Sequence, residues 1–182
     1  VTPALLLVDI QNDYFPGGAV ELAGSLEAAV QAANLLRTFR SRDLPVVHVQ
    51  HVSTRPGATF FLPDTPGCEI HGSVAPAPGE AVFRKGYPNA FRETGLLAHL
   101  RGLGVSSLVI AGMMTHMCID STTRAAADLG FRCLLARDAC ATRALAFGGT
   151  VVAAEIVQAA FLAALDGPFA TVSSAGEICA GL

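Results

Sequence analysis

Basic residues are not in excess in this chain. Twelve Lys and Arg face 15 Asp and Glu, for a formal net charge of −3, which leaves no electrostatic footprint for nucleic acid or an anionic membrane surface. Long apolar runs are missing as well: none approaches the roughly 18 residues needed to cross a bilayer. The opening VTPALLLVDI has no basic flank and reaches Asp9 too early for a secretory signal. Five cysteines, at positions 68, 118, 133, 140 and 179, form no CxxC pair, so neither a disulfide framework nor a zinc knuckle is indicated, and a reducing cytoplasm is expected. Neither GxGxxG nor a P-loop follows the first apolar run, where Asp9-Ile10-Gln11-Asn12 stands instead; dinucleotide and NTP binding are therefore not expected. A small neutral or weakly charged molecule is the partner these exclusions leave.

What is present is apolar residue, 52% of 182, against 15% charged, enough to bury a substantial core in one domain spanning 1–182. Ala4–Val8 reads as a strand that ends at Asp9. Ser25 caps a helix to about Arg40, with Leu26, Val30, Ala33, Leu36 and Phe39 at helical spacing. Val46–His51 is the second strand and Ala81–Arg84 the third, followed at once by Lys85. Between them, 52–80 holds five prolines and no sustained period; a loop beyond about 12–15 residues is uncommon and tends to be functional. Its Phe60, Phe61 and Leu62 line a ligand pocket, form a subunit contact, or fold back on the core.

Thr94 caps a short helix to about Arg101, and Leu108–Ala111 is a buried fourth strand ended by Gly112. From Thr115 the pattern turns helical as far as Gly130. Phe131–Ala136 is a fifth strand, Thr150–Leu165 an Ala-rich helix, Phe169–Val172 a last strand and Ser174–Ala180 a terminal helical turn or two. This alternation predicts an α/β three-layer sandwich, doubly wound on a mostly parallel sheet of about six strands in the order 3-2-1-4-5-6. Strands 1 and 4 are then neighbours at the switch point, so Asp9 and Cys118 share one crevice. Lys85 starts about two strand spacings, roughly 10 Å, away.

Cys118 falls in the first helical turn, where unpaired N–H groups and the helix dipole favour a thiolate; a free cysteine is also commonly inert packing. Asp9 is either a catalytic acid at a strand end or a loop cap. Gln11, Asn12 and Asp13 either bind ligand or tie their loop together.

Three segments taken together carry a resemblance: Asp9-Ile10-Gln11-Asn12-Asp13, Lys85 with Tyr87-Pro88-Asn89-Ala90-Phe91, and Gly112-Met113-Met114-Thr115-His116-Met117-Cys118 with Thr122 and Arg124 behind it. In this order they resemble the isochorismatase-like cysteine hydrolases. The resemblance implies a catalytic Asp9, Lys85 and Cys118, a non-proline cis peptide before Met114, and an oxyanion hole of the Met114 and Cys118 backbone N–H groups. It implies hydrolysis of a small amide or ureide through a Cys118 thioester, and an assembly of two or more copies. Asn12, Tyr14, Phe15, Phe60, Phe61, Phe91 and His116 are candidate substrate contacts; Arg124 and Asp138 are expected to be structural.

The nicotinamidase branch of that family holds a metal near strand 2 through Asp-x-His and a further His. Here His48 and His51 lie three apart, on opposite sides of a strand, and no acid stands at the comparable position near Val49. No metal or other cofactor is expected. Two alternatives stay open: a cysteine-independent vinyl-ether hydrolase of the isochorismatase type, and a non-catalytic binding module on the same fold.

Overall fold

The computed structural model describes residues 2–182. Six strands form one parallel sheet: β1 (Thr2–Val8), β2 (Val46–His51), β3 (Ala81–Lys85), β4 (Val105–Met113), β5 (Arg132–Ala141) and, last in the chain, Thr171–Ser173. Between β5 and that last strand lies a separate antiparallel hairpin, β6 (Leu145–Phe147) with β7 (Thr150–Val152), so the last strand is β8 and the sheet order is β3-β2-β1-β4-β5-β8. The doubly wound order expected from the alternation is thus present, with the sixth position taken by β8.

Helices cover both faces. Helices α1 (Ser25–Ser41) and α5 (Ala175–Gly181) pack with Leu5, Leu7 and Val109 on one side. Helices α2 (Leu96–Gly102), α3 (Asp120–Asp128) and α4 (Ala154–Leu165) flank the other, against Leu6, Val8 and Leu108. Because every β1 residue from Ala4 to Val8 is buried, this central strand reads as a continuous apolar run rather than an alternating one, as a strand covered on both faces must.

Several boundaries depart from the sequence expectation. Thr150–Val152 belongs to the hairpin, and α4 begins only at Ala154: the β-branched pair Val151-Val152 and the turn at Gly148-Gly149 govern here rather than the alanines that follow. In α1 the buried stripe is Ala28, Ala32, Leu35, Leu36 and Phe39, while Leu26 and Val30 are exposed; small alanines let the helix approach the sheet, and the larger residues sit on its flank. Ser25 is the first helical residue rather than the cap, since Gly24 turns the chain at φ 73°. Likewise Gly95, not Thr94, immediately precedes α2, though the Thr94 hydroxyl still accepts from the Leu96 N–H at 3.4 Å while donating to the Ala90 carbonyl at 2.6 Å.

Val8 at the end of β1 pairs with Gly112 on β4. Gly112 has φ 140°, and a Cβ there would overlap the Val8 carbonyl oxygen. No side chain fits without parting the two strands that deliver Asp9 and Met114.

The end of the long loop is pinned by Glu80. Its carboxylate accepts from Arg40 Nε at 2.7 Å and Nη2 at 2.8 Å, and from the Ala77 N–H at 2.8 Å, and lies 2.9 Å from His48 Nε2. The Arg40 hydrogen bond chiefly holds the Glu80 carboxyl down to about 2, against burial, which works the other way. A depressed carboxylate contributes stability that is present above its unfolded pKa and is lost as pH falls toward the folded one. The urea midpoint of the native chain is therefore expected to exceed that of Glu80→Gln at neutral pH, and the gap to close between about pH 4.5 and about pH 2. A gap independent of pH would contradict the assignment.

Candidate active site

Asp9 leaves β1 in a left-handed conformation, φ 52°, and is fully buried. Its N–H still donates to Val49 on β2, and Gln11 N–H donates back to Asp9 at 3.0 Å, so the carboxylate is aimed by backbone bonds on both sides. Lys85 ends β3, also buried, and crosses beneath β2. Its ammonium lies 2.6 Å from Asp9 Oδ2, 3.4 Å from Cys118 Sγ and 3.0 Å from His51 Nδ1. The second carboxylate oxygen, Asp9 Oδ1, has no hydrogen-bond partner among the described residues. An acid, a cation and a thiol from three distant segments thus meet at the carboxyl ends of β1, β3 and β4.

Cys118 sits in a π-turn, Thr115–Ile119, where the Ile119 N–H reaches back to the Met114 carbonyl at 3.2 Å. Such wide turns recur at functional sites because they re-aim a side chain. The Met113–Met114 peptide immediately before it is cis. The expected lowering of the thiol pKa does not hold: burial pushes the Cys118 thiol up, Asp9 adds to that, and Lys85 pulls only partly the other way. The resting group is the neutral thiol, since loss of solvent outweighs the field of a short turn. Burial opposes the Lys85 ammonium, but Asp9 and Cys118 more than compensate and raise its pKa, so it stays charged. Burial and Lys85 lower His51, which is therefore a neutral acceptor.

The site opens onto a cavity of about 440 Å³. Tyr14, Phe60, Phe61, Met114 and Cys118 form part of its wall, and the first three rings pack together at centroid separations of 4.6 to 6.1 Å. Phe61 is held there at φ 54° by its N–H, which donates to Asp13 Oδ2 at 2.6 Å.

Other candidates lie elsewhere. Asn12 donates to the Pro66 carbonyl at 2.8 Å, tying its loop to the long one. Phe15 is buried and stacks on His71 at 3.7 Å. Phe91 packs on Phe131 in the α2/α3-side core, and His116 turns away to Thr142 Oγ1 at 2.6 Å. None of these four is part of the cavity wall, because each finds its partner in packing or loop closure first. Gln11 and Asp13 likewise tie loops together: the buried Gln11 amide donates to the His51 and Cys68 carbonyls and accepts from the His51 N–H. Arg124 pairs with Asp120 rather than with Asp138, whose carboxylate accepts from the Ala175 N–H.

Sequence reasoning missed Arg55, Arg143 and His51 in the wall. Loop arginines have no periodicity to betray them. His48 points to Glu80, on the face opposite His51. The ligand atoms of Asp9, His51 and Cys118 lie within 4.8 Å of one another, as a metal site would require. Each of these three residues is already bonded to or in contact with the Lys85 ammonium, which is the cation that this donor set surrounds.

Comparison with known proteins agrees with the geometry. The isochorismatase domain family matches residues 3–177. YddQ of Bacillus subtilis, an uncharacterized isochorismatase family protein, is 49% identical over 174 residues, 96% of this chain and 97% of its own. A crystal structure of an isochorismatase-type chain from Oleispira antarctica superposes with a TM-score of 0.96 at 52% identity, over 99% of this chain and 97% of that one. Maleamate amidohydrolase of Pseudomonas putida is 32% identical over 150 residues, 75% of this chain and 70% of its own. The chain belongs to the isochorismatase family and is a hydrolase.

Proposed function

We propose that this hydrolase is a cysteine-dependent amidohydrolase cleaving a small amide or ureide, with Asp9, Lys85 and Cys118 as its catalytic residues. The observation that carries the proposal is the Lys85 ammonium bonded to Asp9 and to the Cys118 sulfur at once, beside a free carboxylate oxygen. Since the thiol is protonated at rest, a base must remove its proton as attack occurs. Asp9 Oδ1 is that base. The sulfur then bonds to the substrate carbonyl carbon, and the carbonyl electron pair moves to oxygen. The N–H groups of Met114 and Cys118 receive the oxyanion, a role supported by both residues being part of the cavity wall.

Asp9 next returns the proton to the nitrogen, the C–N bond breaks and amine or ammonia departs, leaving a thioester. Water attacks that thioester with Asp9 again taking its proton, and the sulfur leaves with a proton to restore the thiol. Lys85 keeps its charge throughout and stabilises each anion beside it. No step is assigned to a metal or cofactor. The same proposal places the enzyme in the cytoplasm, where five free cysteines stay reduced, and as an assembly of two or more copies, for which the exposed Phe147 and Val151 of the hairpin offer a contact; light scattering that reads a monomer would refute the latter.

A panel of small amides and ureides, quenched in acid during turnover, tests the chemistry. The expected result is amine or ammonia release together with an enzyme heavier by the acyl group, mapped to Cys118. Turnover with the acyl group on no residue, or on a different one, would overturn it.

A further inference from the structure

Two exposed arginines, Arg55 and Arg143, are part of the cavity wall and no acidic residue is; the Arg55 guanidinium lies over the Tyr87 ring, 5.8 Å from its centroid. Asp9 lies behind the wall and is neutralised by Lys85. None of the five ion pairs among the described residues involves Arg55 or Arg143. Arg55 follows β2 and Arg143 follows β5, so the two come from opposite sides of the central β1/β4 pair. Both act on the site itself. Burial pushes the Tyr14 hydroxyl up, and of the charged groups around it Arg143 alone pulls it back; Arg55 adds to the burial and the Lys85 charge that keep His51 neutral. Most of the remaining wall, Phe60, Phe61, Met114 and Met117 included, is apolar. Such a wall concentrates small anions, because low-dielectric surroundings focus the field of unpaired charges into the opening.

We propose that the substrate carries an anionic group, a carboxylate or its equivalent, received by Arg143 with Arg55 across the cavity. Its chemical class is then a small amide or ureide with an acid a short apolar spacer away from the scissile carbonyl. Arg143 suits this role because its fork of N–H donors matches a carboxylate in two parallel bonds.

The inference rests on the amidohydrolase reading, and a pair of alkylating reagents separates the two. Iodoacetate and iodoacetamide carry the same leaving group and differ in charge, so the ratio of their rates at Cys118, divided by the ratio for free cysteine, reports the field at the sulfur. At low salt this normalised ratio is expected to be about tenfold or more in the native chain. Lys85 contributes to it, so the arginine variants decide. Arg143→Gln is expected to lower the ratio several-fold and Arg55→Gln to lower it less, with Arg143→Lys restoring part; a merely structural arginine would move both reagents together and leave the ratio alone. A native ratio near that of free cysteine, or one unmoved in both glutamine variants, overturns the inference and leaves the nucleophile standing. Inertness of Cys118 to both reagents overturns the nucleophile, and the inference with it. In the amide panel the matching result is a kcat/KM for monoamide acids about tenfold or more above that of their methyl esters; equal or reversed values contradict an anionic substrate.

Discussion

Cys118→Ala is expected to lower kcat for any amide substrate by about 10⁴-fold or more, with the folded state kept within about 1 kcal/mol of the native stability. The size follows from what is removed. Without sulfur there is no thioester, and Asp9 would have to activate water across a site shaped around a side chain that is gone. The stability change is small because only one buried sulfur is deleted, at the edge of an existing cavity. Steady-state kinetics beside a urea unfolding curve checks both halves. The outcome also separates the two catalytic alternatives: a vinyl-ether hydrolase that relies on Asp9 alone keeps most of its turnover in this variant.

Lys85→Met is the other severe change, and it acts on fold and chemistry together. The Asp9–Lys85 pair is wholly inaccessible to solvent, and taking away one member of such a pair strands the other; losses of about 3–5 kcal/mol are usual. Methionine has similar length and no charge, so Asp9 is expected to take up a proton in compensation and cease to act as a base. A fall in kcat of about 10³-fold is expected alongside the lost stability. Asp9→Asn with Lys85→Met provides the control. Removing both charges should recover part of the stability and none of the activity, because a neutral pair no longer carries an uncompensated buried charge. Recovery of turnover in the double variant would mean that the pair is structural.

Which parts of this could be read from the sequence depends on which residues are governed by local pattern. Strand order followed from apolar runs joined by helical spacings, and the meeting of Asp9 with Cys118 followed from that order alone, since β1 and β4 adjoin at the switch point. The β6–β7 hairpin did not, because three-residue strands carry too little period to compete with the alanines of α4. Aromatics at 14, 60 and 61 were legible as apolar residues in loops; that Phe15 and Phe91 face away from the cavity was not, because stacking partners such as His71 and Phe131 come from distant segments. The thiol pKa was misjudged for a related reason. Position in a helical turn is visible in sequence, whereas the depth of burial that overrides it belongs to the folded chain.

Net charge is silent on the cavity. A total of −3 leaves no footprint for nucleic acid or an anionic membrane, while the cavity wall includes two arginines and no acid, the acids being engaged in loop closure and in pairs such as Glu80 with Arg40 and Asp120 with Arg124. Local charge, not the sum, is what bears on a ligand held in a cleft.

The convergence of thiol, acid and ammonium is tested most directly by the relative reactivity of the five free cysteines. Peptide mapping after timed exposure to iodoacetamide at neutral pH should show Cys118 labelled well before Cys133, which is equally buried but has no base beside it and no place in the cavity wall. Asp9→Asn should slow Cys118 alone. Labelling of Cys118 no faster than Cys133, or unaffected by the loss of the Asp9 charge, would contradict an activated nucleophile at this site.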